Sequence, residues 1–90
     1  MKTRYITLKV DFNDGYVTNV KIADSREEAV ENLKEAIEEE INTEISDYDV
    51  IDEDWKNELL SQLNQVRFGY ENMVNDSVNN EAYYIKKVEE

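Results

Sequence analysis

The chain has 90 residues, and a chain this short is expected to form a single domain over residues 1–90. It lacks histidine and cysteine, which excludes disulfides, Ser-His and Cys-His nucleophiles and Cys/His zinc sites. Its 22 acidic and 10 basic residues give a net charge of −12, which opposes direct binding to nucleic acid or to an anionic membrane.

The first 23 residues alternate apolar and polar side chains, which predicts a β-hairpin around Asn13-Asp14-Gly15. A two-residue loop would mix the two faces, whereas a three-residue loop keeps the apolar side chains of both strands on one face. That register leaves Gly15 in the left-handed conformation of a bulge. It places Tyr16 on the apolar face and Tyr5 on the opposite face. We expect the apolar face to be buried through Ile6, Leu8, Val10, Val20 and Ile22, and we expect Lys9 and Lys21 to be exposed.

A first amphipathic helix is predicted to follow the hairpin. Ser25 and Glu28 have the spacing of a capping box, in which each side chain satisfies a free backbone N–H at the helix start. Apolar residues then recur at helical spacing from Ala29 to Ile41. We expect this helix to end near 41–45.

A second helix is predicted after a short connector. Asp49 or Asp52 could cap it, and its apolar face begins at Trp55. Beyond Gly69 two interpretations are open, since the helical phase continues to residue 74 while residues 66–70 also alternate like a strand. We favour the helix, because its phase continues from Trp55.

The last segment completes the predicted fold. Residues 75–80 have the composition of a loop, and residues 82–88 are rich in strand-forming side chains. The expected order is ββααβ in an α+β domain. Its three-stranded, mainly antiparallel sheet carries both helices on one face.

Acidic residues are concentrated in one block. Between Glu35 and Asp54 the chain has ten acidic residues and no lysine or arginine. Such a block is either a solvated face that confers solubility or an anionic patch that binds a basic protein surface. The candidate partner-binding residues are Glu40, Glu44, Asp47, Asp49, Asp52 and Asp54, with Tyr48 as an apolar anchor between them.

The same block does not indicate a metal site or a catalytic site. Neither Asp47 nor Asp49 starts a series of oxygen ligands with EF-hand spacing, although a loose calcium or magnesium site with Asp52 is an alternative. With glycine only at 15 and 69, the chain also has no phosphate-binding loop. We therefore expect no cofactor, no resident metal and no enzyme activity.

The small size, the strong acidity and the block from Glu35 to Asp54 resemble phage-encoded inhibitors of bacterial defence, including anti-CRISPR proteins and DNA-mimic anti-restriction proteins. The resemblance implies an inhibitor in the host cytoplasm that occupies the Lys/Arg-rich, nucleic-acid-binding surface of a nuclease such as a CRISPR effector. Because the carboxylates fall mostly in one segment, they favour a local plug over mimicry of a whole duplex.

The alternative is a non-enzymatic interaction module of a bacterium or a mobile element. Such a module could form a homodimer through the outer face of the sheet with Tyr5 and Tyr84, and its acidic block would be a solvated face. No segment has the ~20 apolar residues of a membrane helix, and the N-terminus does not have the apolar core of a signal peptide. Both interpretations predict a cytoplasmic protein.

Overall fold

The computed structural model describes the backbone of residues 2–48 and 52–89, with side chains for 2–44 and 52–89. In chain order its elements are β1 (Thr3–Asp11), β2 (Tyr16–Ala23), α1 (Arg26–Tyr48), α2 (Glu53–Phe68), β3 (Met73–Asp76) and β4 (Glu81–Glu89). The strands form one antiparallel sheet in the order β2-β1-β4-β3. The α+β class is confirmed, but the sheet has four strands instead of three. No helix in the described ranges is long and apolar enough to cross a membrane.

The strand missing from the sequence prediction is β3. Helix α2 ends at Phe68 and is followed by Gly69, whose left-handed φ of 90° lets the N–H groups of Gly69 and Tyr70 donate to the carbonyls of Val66 and Gln65. The prediction of a continuing helix is therefore confirmed up to Phe68 and wrong beyond it. The loop predicted for residues 75–80 begins two residues too early. Residues 73–76 instead pair with β4. Four residues are too few for alternation to identify a strand.

The hairpin keeps the predicted register at its far end but not next to the turn, where Tyr16 pairs with Asp11 and Val10 with Val17. Its turn spans residues 12–15, one residue more than predicted, with Gly15 in the predicted left-handed conformation at φ 72°. Ile6 pairs with Ile22 as predicted. A bulge at Asn19, where φ is 54°, compensates for the longer turn. The apolar side chains of the two strands therefore still share one face.

The helices pack on the opposite face of the sheet from the one predicted. Thr7 on β1 and Tyr83 on β4 face the helices and are 3% and 0% exposed, whereas Val20 and Ile22 on the other face are 57% and 60% exposed. The predicted burial is thus wrong for β2, and the predicted β1 residues are only half-buried. Tyr16 also lies on the helix side, opposite Asp11, and is exposed.

Strand pairing links the buried residues of β4 to polar residues of β1. Tyr83 and Ile85 of β4 are buried under the helices, and their direct partners on β1 are Lys9 and Thr7. Helices that cover the β4 residues must also cover these polar neighbours, because paired residues point to the same side of a sheet. The pattern within the hairpin could not reveal this constraint.

The core lies between the sheet and the two helices. Its buried members on the helices are Ala29, Val30, Leu33, Ile37, Ile41, Trp55, Leu59, Leu63 and Val66. Half of the predicted capping box is confirmed at the start of α1, where the Glu28 N–H donates to Ser25 Oγ at 3.1 Å, while the Glu28 carboxylate accepts from the Asp24 N–H at 3.4 Å. The predicted end of α1 was too early, because the helix continues to Tyr48.

Candidate functional site

The structure assigns stabilising contacts to two of the predicted partner-binding residues. Glu40 accepts a hydrogen bond from Lys9 Nζ at 3.2 Å, and its side chain is 20% exposed. Asp52 is the N-cap of α2 and accepts from the backbone N–H groups of Asp54 and Trp55 at 3.0 and 3.2 Å. Replacing Asp52 would therefore weaken α2 by about 1 kcal/mol in addition to any effect on binding.

The other predicted site residues are not brought together in the described structure. Glu44 is half-buried on α1, and Asp54 is exposed in the first turn of α2. Asp47 and Tyr48 belong to the last turn of α1, with side chains outside the described set, and Asp49 lies outside the described residues. The predicted cluster as a unit therefore stays a prediction.

A broader acidic surface extends along the exposed sides of both helices, and we call it the acidic helix surface. Its exposed carboxylates are Glu27, Glu28, Glu31, Glu35, Glu38 and Glu39 on α1 and Glu53, Asp54 and Glu58 on α2. Glu27, Glu31, Glu35 and Glu38 follow at intervals of four, four and three residues, so they form one strip along α1.

Basic side chains lie near several of these carboxylates, since Arg26 and Arg67 line a cavity together with Glu27 and Glu31. Lys21 approaches Glu35 at 3.4 Å and Lys34 approaches Glu38 at 3.9 Å, and all four side chains are well exposed. Exposed pairs of this kind are worth about 0–1 kcal/mol and are screened by salt. The strip therefore remains an anionic surface available to a partner.

The acidic block predicted from the sequence overlaps this surface only in part. Glu27 and Glu31 precede the block but extend its strip, whereas Glu40 lies inside the block and points toward the sheet. Four-residue spacing from Glu27 was the signal that could have identified the strip. The contact between Glu40 and Lys9 joins residues 31 positions apart and has no local signal.

Lys9 holds a polar cluster between the helices and the sheet. Its ammonium lies 2.9 Å from Glu81 and 3.2 Å from Glu40, and it stands 5.7 Å from the centre of the Tyr83 ring. Burial alone would lower the pKa of Lys9, but the two carboxylates outweigh it and the pKa is raised. Burial raises the pKa of Glu81, although Lys9 counteracts part of this shift.

Tyr83 lies under the helices beside this cluster. Its hydroxyl is buried with no hydrogen-bond partner within residues 2–48 and 52–89. Burial, followed by the charges of Glu40 and Glu81, raises the pKa of Tyr83 far above its ordinary value. A neutral phenol and a charged lysine are therefore the forms that the folded state favours.

These shifts predict alkaline sensitivity. The pKa values of Tyr83 and Lys9 are raised on folding, so their contribution is fully present below the unfolded-state values near 10 and is lost as the pH rises above them. We expect Tyr83→Phe to change stability by no more than about 1 kcal/mol at pH 7, since the hydroxyl lacks a partner. When the pH is raised from 10 to 11, the free energy of unfolding of the variant should fall by about 1 kcal/mol less than that of the wild type. Urea unfolding at both pH values tests this, and equal losses would contradict it.

The outer sheet face, the side of the sheet away from the helices, is a second exposed surface. It carries the exposed Val17, Val20, Ile22 and Met73, the half-buried Ile6, Leu8, Val10, Tyr84 and Val88, and the buried Ala82. Tyr84 lies on this face as predicted, whereas Tyr5 faces the helices and packs against the core. Sequence reasoning recognised the apolar side of the hairpin but assigned it to the core.

No group of three or more acidic residues among the described side chains is arranged to hold a metal ion. Comparisons of the chain with protein-family models, with curated proteins and with solved structures give no match. The function is therefore argued from the two surfaces of the domain, an acidic one on the helices and an apolar one on the sheet.

Proposed function

We propose that this protein is a non-enzymatic inhibitor whose acidic helix surface occupies a basic, nucleic-acid-binding surface of another protein, such as the DNA channel of a CRISPR effector. One observation carries the proposal. Carboxylates form a continuous exposed strip on α1, from Glu27 to Glu38, and the lysines near the strip make only weak exposed pairs. A Lys/Arg-rich surface has the complementary charge.

Competition with DNA gives this contact a physical basis. CRISPR effectors hold their nucleic acids in positively charged channels and use arginine to read the short DNA motif beside the target. Carboxylates match guanidinium groups in bidentate geometry, which adds orientation to charge. Long-range attraction would also speed association and make it sensitive to salt.

The dimensions of the strip favour a local block of the channel. Residues 27–38 span about 17 Å of helix, with neighbouring carboxylates about 6 Å apart. A single DNA strand carries one phosphate per ~3.4 Å of helix axis, so the strip has the lower charge density. It therefore suits one groove or one set of arginines better than the full length of a bound duplex.

Neutralising the strip should weaken inhibition. We expect Glu31→Gln/Glu35→Gln/Glu38→Gln to raise the half-inhibitory concentration about tenfold at low salt, since exposed pairs contribute about 0–1 kcal/mol each. The measurement is the binding of fluorescent target DNA to a panel of purified CRISPR effectors, by anisotropy, with increasing amounts of the protein. At moderate salt the difference between variant and wild type should shrink.

A matched control separates the strip from net charge. The variant Asp24→Asn/Glu71→Gln/Glu89→Gln also loses three negative charges, at exposed positions off the helices. It should inhibit as well as the wild type. If both variants behave alike, or if salt has no effect on inhibition, the strip is not the contact surface.

A further inference from the structure

In the hairpin of β1 and β2, the sheet reverses the usual arrangement of an antiparallel sheet. A sheet that is covered on one side normally turns apolar residues toward the core and polar residues toward water. In β1, Thr7 and Lys9 lie on the helix side while Leu8 and Val10 point outward. On β2, Val17, another outward residue, is 54% exposed. An apolar face of this extent on a small domain indicates a surface that another protein covers.

We propose that the outer sheet face is the interface of a homodimer, in which two copies of this chain pack sheet against sheet. This inference is independent of the proposed inhibitor function and concerns the opposite side of the domain. The strands have nine, eight, four and nine residues, so the face is about 30 Å long at β1 and β4, about 19 Å wide, and shorter at β3. Two such faces together provide on the order of 1,000 Å², the size at which specific protein interfaces begin.

Charge favours a second copy on this face. Copies with a net charge of −12 can associate only where their carboxylates stay apart. Among the described strand residues, the outer sheet face carries no carboxylate, and its charged side chains are Arg4 and Lys86. In the dimer the two acidic helix surfaces lie on opposite outer sides of the particle. They are roughly 30 Å apart, because the two sheets pack about 10 Å apart and each helix layer adds about 10 Å. That separation exceeds the ~8 Å screening length at physiological ionic strength.

The distribution of charge along the strands also suits a two-fold arrangement. Arg4 and Lys86 are at the end of the face where β1 begins, and Asp14 is in the hairpin turn at the other end. A two-fold axis that lies between the sheets and crosses the strands brings each basic end near the partner's turn. The same contact then forms twice, as in an isologous dimer. Such a dimer would carry two acidic helix surfaces, one on each copy.

Sedimentation equilibrium of the intact chain tests the interface, at protein concentrations from about 1 to about 300 µM. We expect the wild type to change from monomer at the low end of this range to dimer at the high end. The variant Val20→Lys/Ile22→Lys adds two charges to exposed positions of the outer sheet face and should raise the dimer dissociation constant at least tenfold. The milder Ile22→Thr keeps a β-branched residue in the strand and should weaken the dimer in the same direction.

The matched control is Tyr16→Lys/Thr18→Lys, which adds the same two charges to exposed positions on the other side of β2. It should dimerise like the wild type, and circular dichroism should show native secondary structure for all three variants. The inference is overturned if the wild type is monomeric throughout. It is also overturned if the outer-face variants dimerise as tightly as the wild type, or if the control weakens the dimer equally.

Discussion

Asp76→Ala should lower the free energy of unfolding by about 3 kcal/mol. Asp76 is 1% exposed, and its carboxyl group accepts hydrogen bonds from Trp55 Nε1 at 2.9 Å and from the backbone and side chain of Asn79 at 3.1 and 2.9 Å. Removing the acceptor leaves buried donors without partners, at about 1–3 kcal/mol each. It also disconnects α2 from the turn between β3 and β4.

The measurement is urea unfolding followed by circular dichroism and by fluorescence of Trp55, the single tryptophan of the chain. Asp76→Asn is the matched variant, because it keeps an oxygen that can accept from Trp55 and Asn79. It should cost about 1 kcal/mol, roughly the value of one imperfect hydrogen bond. An Asp76→Ala midpoint equal to that of the wild type would show that this carboxyl group does not hold α2 to the sheet.

Local signals predicted the elements that depend on neighbouring residues. The Ser25 cap, the left-handed Gly15 and the cap at Asp52, one of the two candidates, are each specified within four residues, and all three are present. The pairing of Ile6 with Ile22 also follows from a short turn and a shared apolar face. These features could be predicted because chain neighbours alone determine them.

Features that depend on distant residues were missed. The helices cover the face on which Tyr83 pairs with Lys9, and these two residues are 74 positions apart. Strand β3 was missed because it has only four residues and is defined by its pairing with β4. The role of Glu40 was missed for the same reason, since its partner Lys9 belongs to the first strand. A charge run shows where acids are in the chain but not which of them point inward.

The division of the domain into a covered face and an open face is the central claim, since both proposed surfaces depend on it. Neighbouring residues of β1 test it directly. Thr7 is 3% exposed under the helices, whereas Leu8 points to the outer sheet face and is half-buried. The free energy of unfolding in urea should be measured for Thr7→Lys and Leu8→Lys at a protein concentration of about 1 µM, where a weak dimer is dissociated.

Thr7→Lys forces an ammonium into the space between sheet and helices, and it should lose at least about 3 kcal/mol, a large share of the 5–15 kcal/mol stability of a small domain. Leu8→Lys can extend its ammonium into water and should lose no more than about 1 kcal/mol. The structure therefore predicts that Thr7→Lys lowers the free energy of unfolding more than Leu8→Lys does. A stable Thr7→Lys beside an unfolded Leu8→Lys would place the helices on the other side of the sheet and contradict both surfaces.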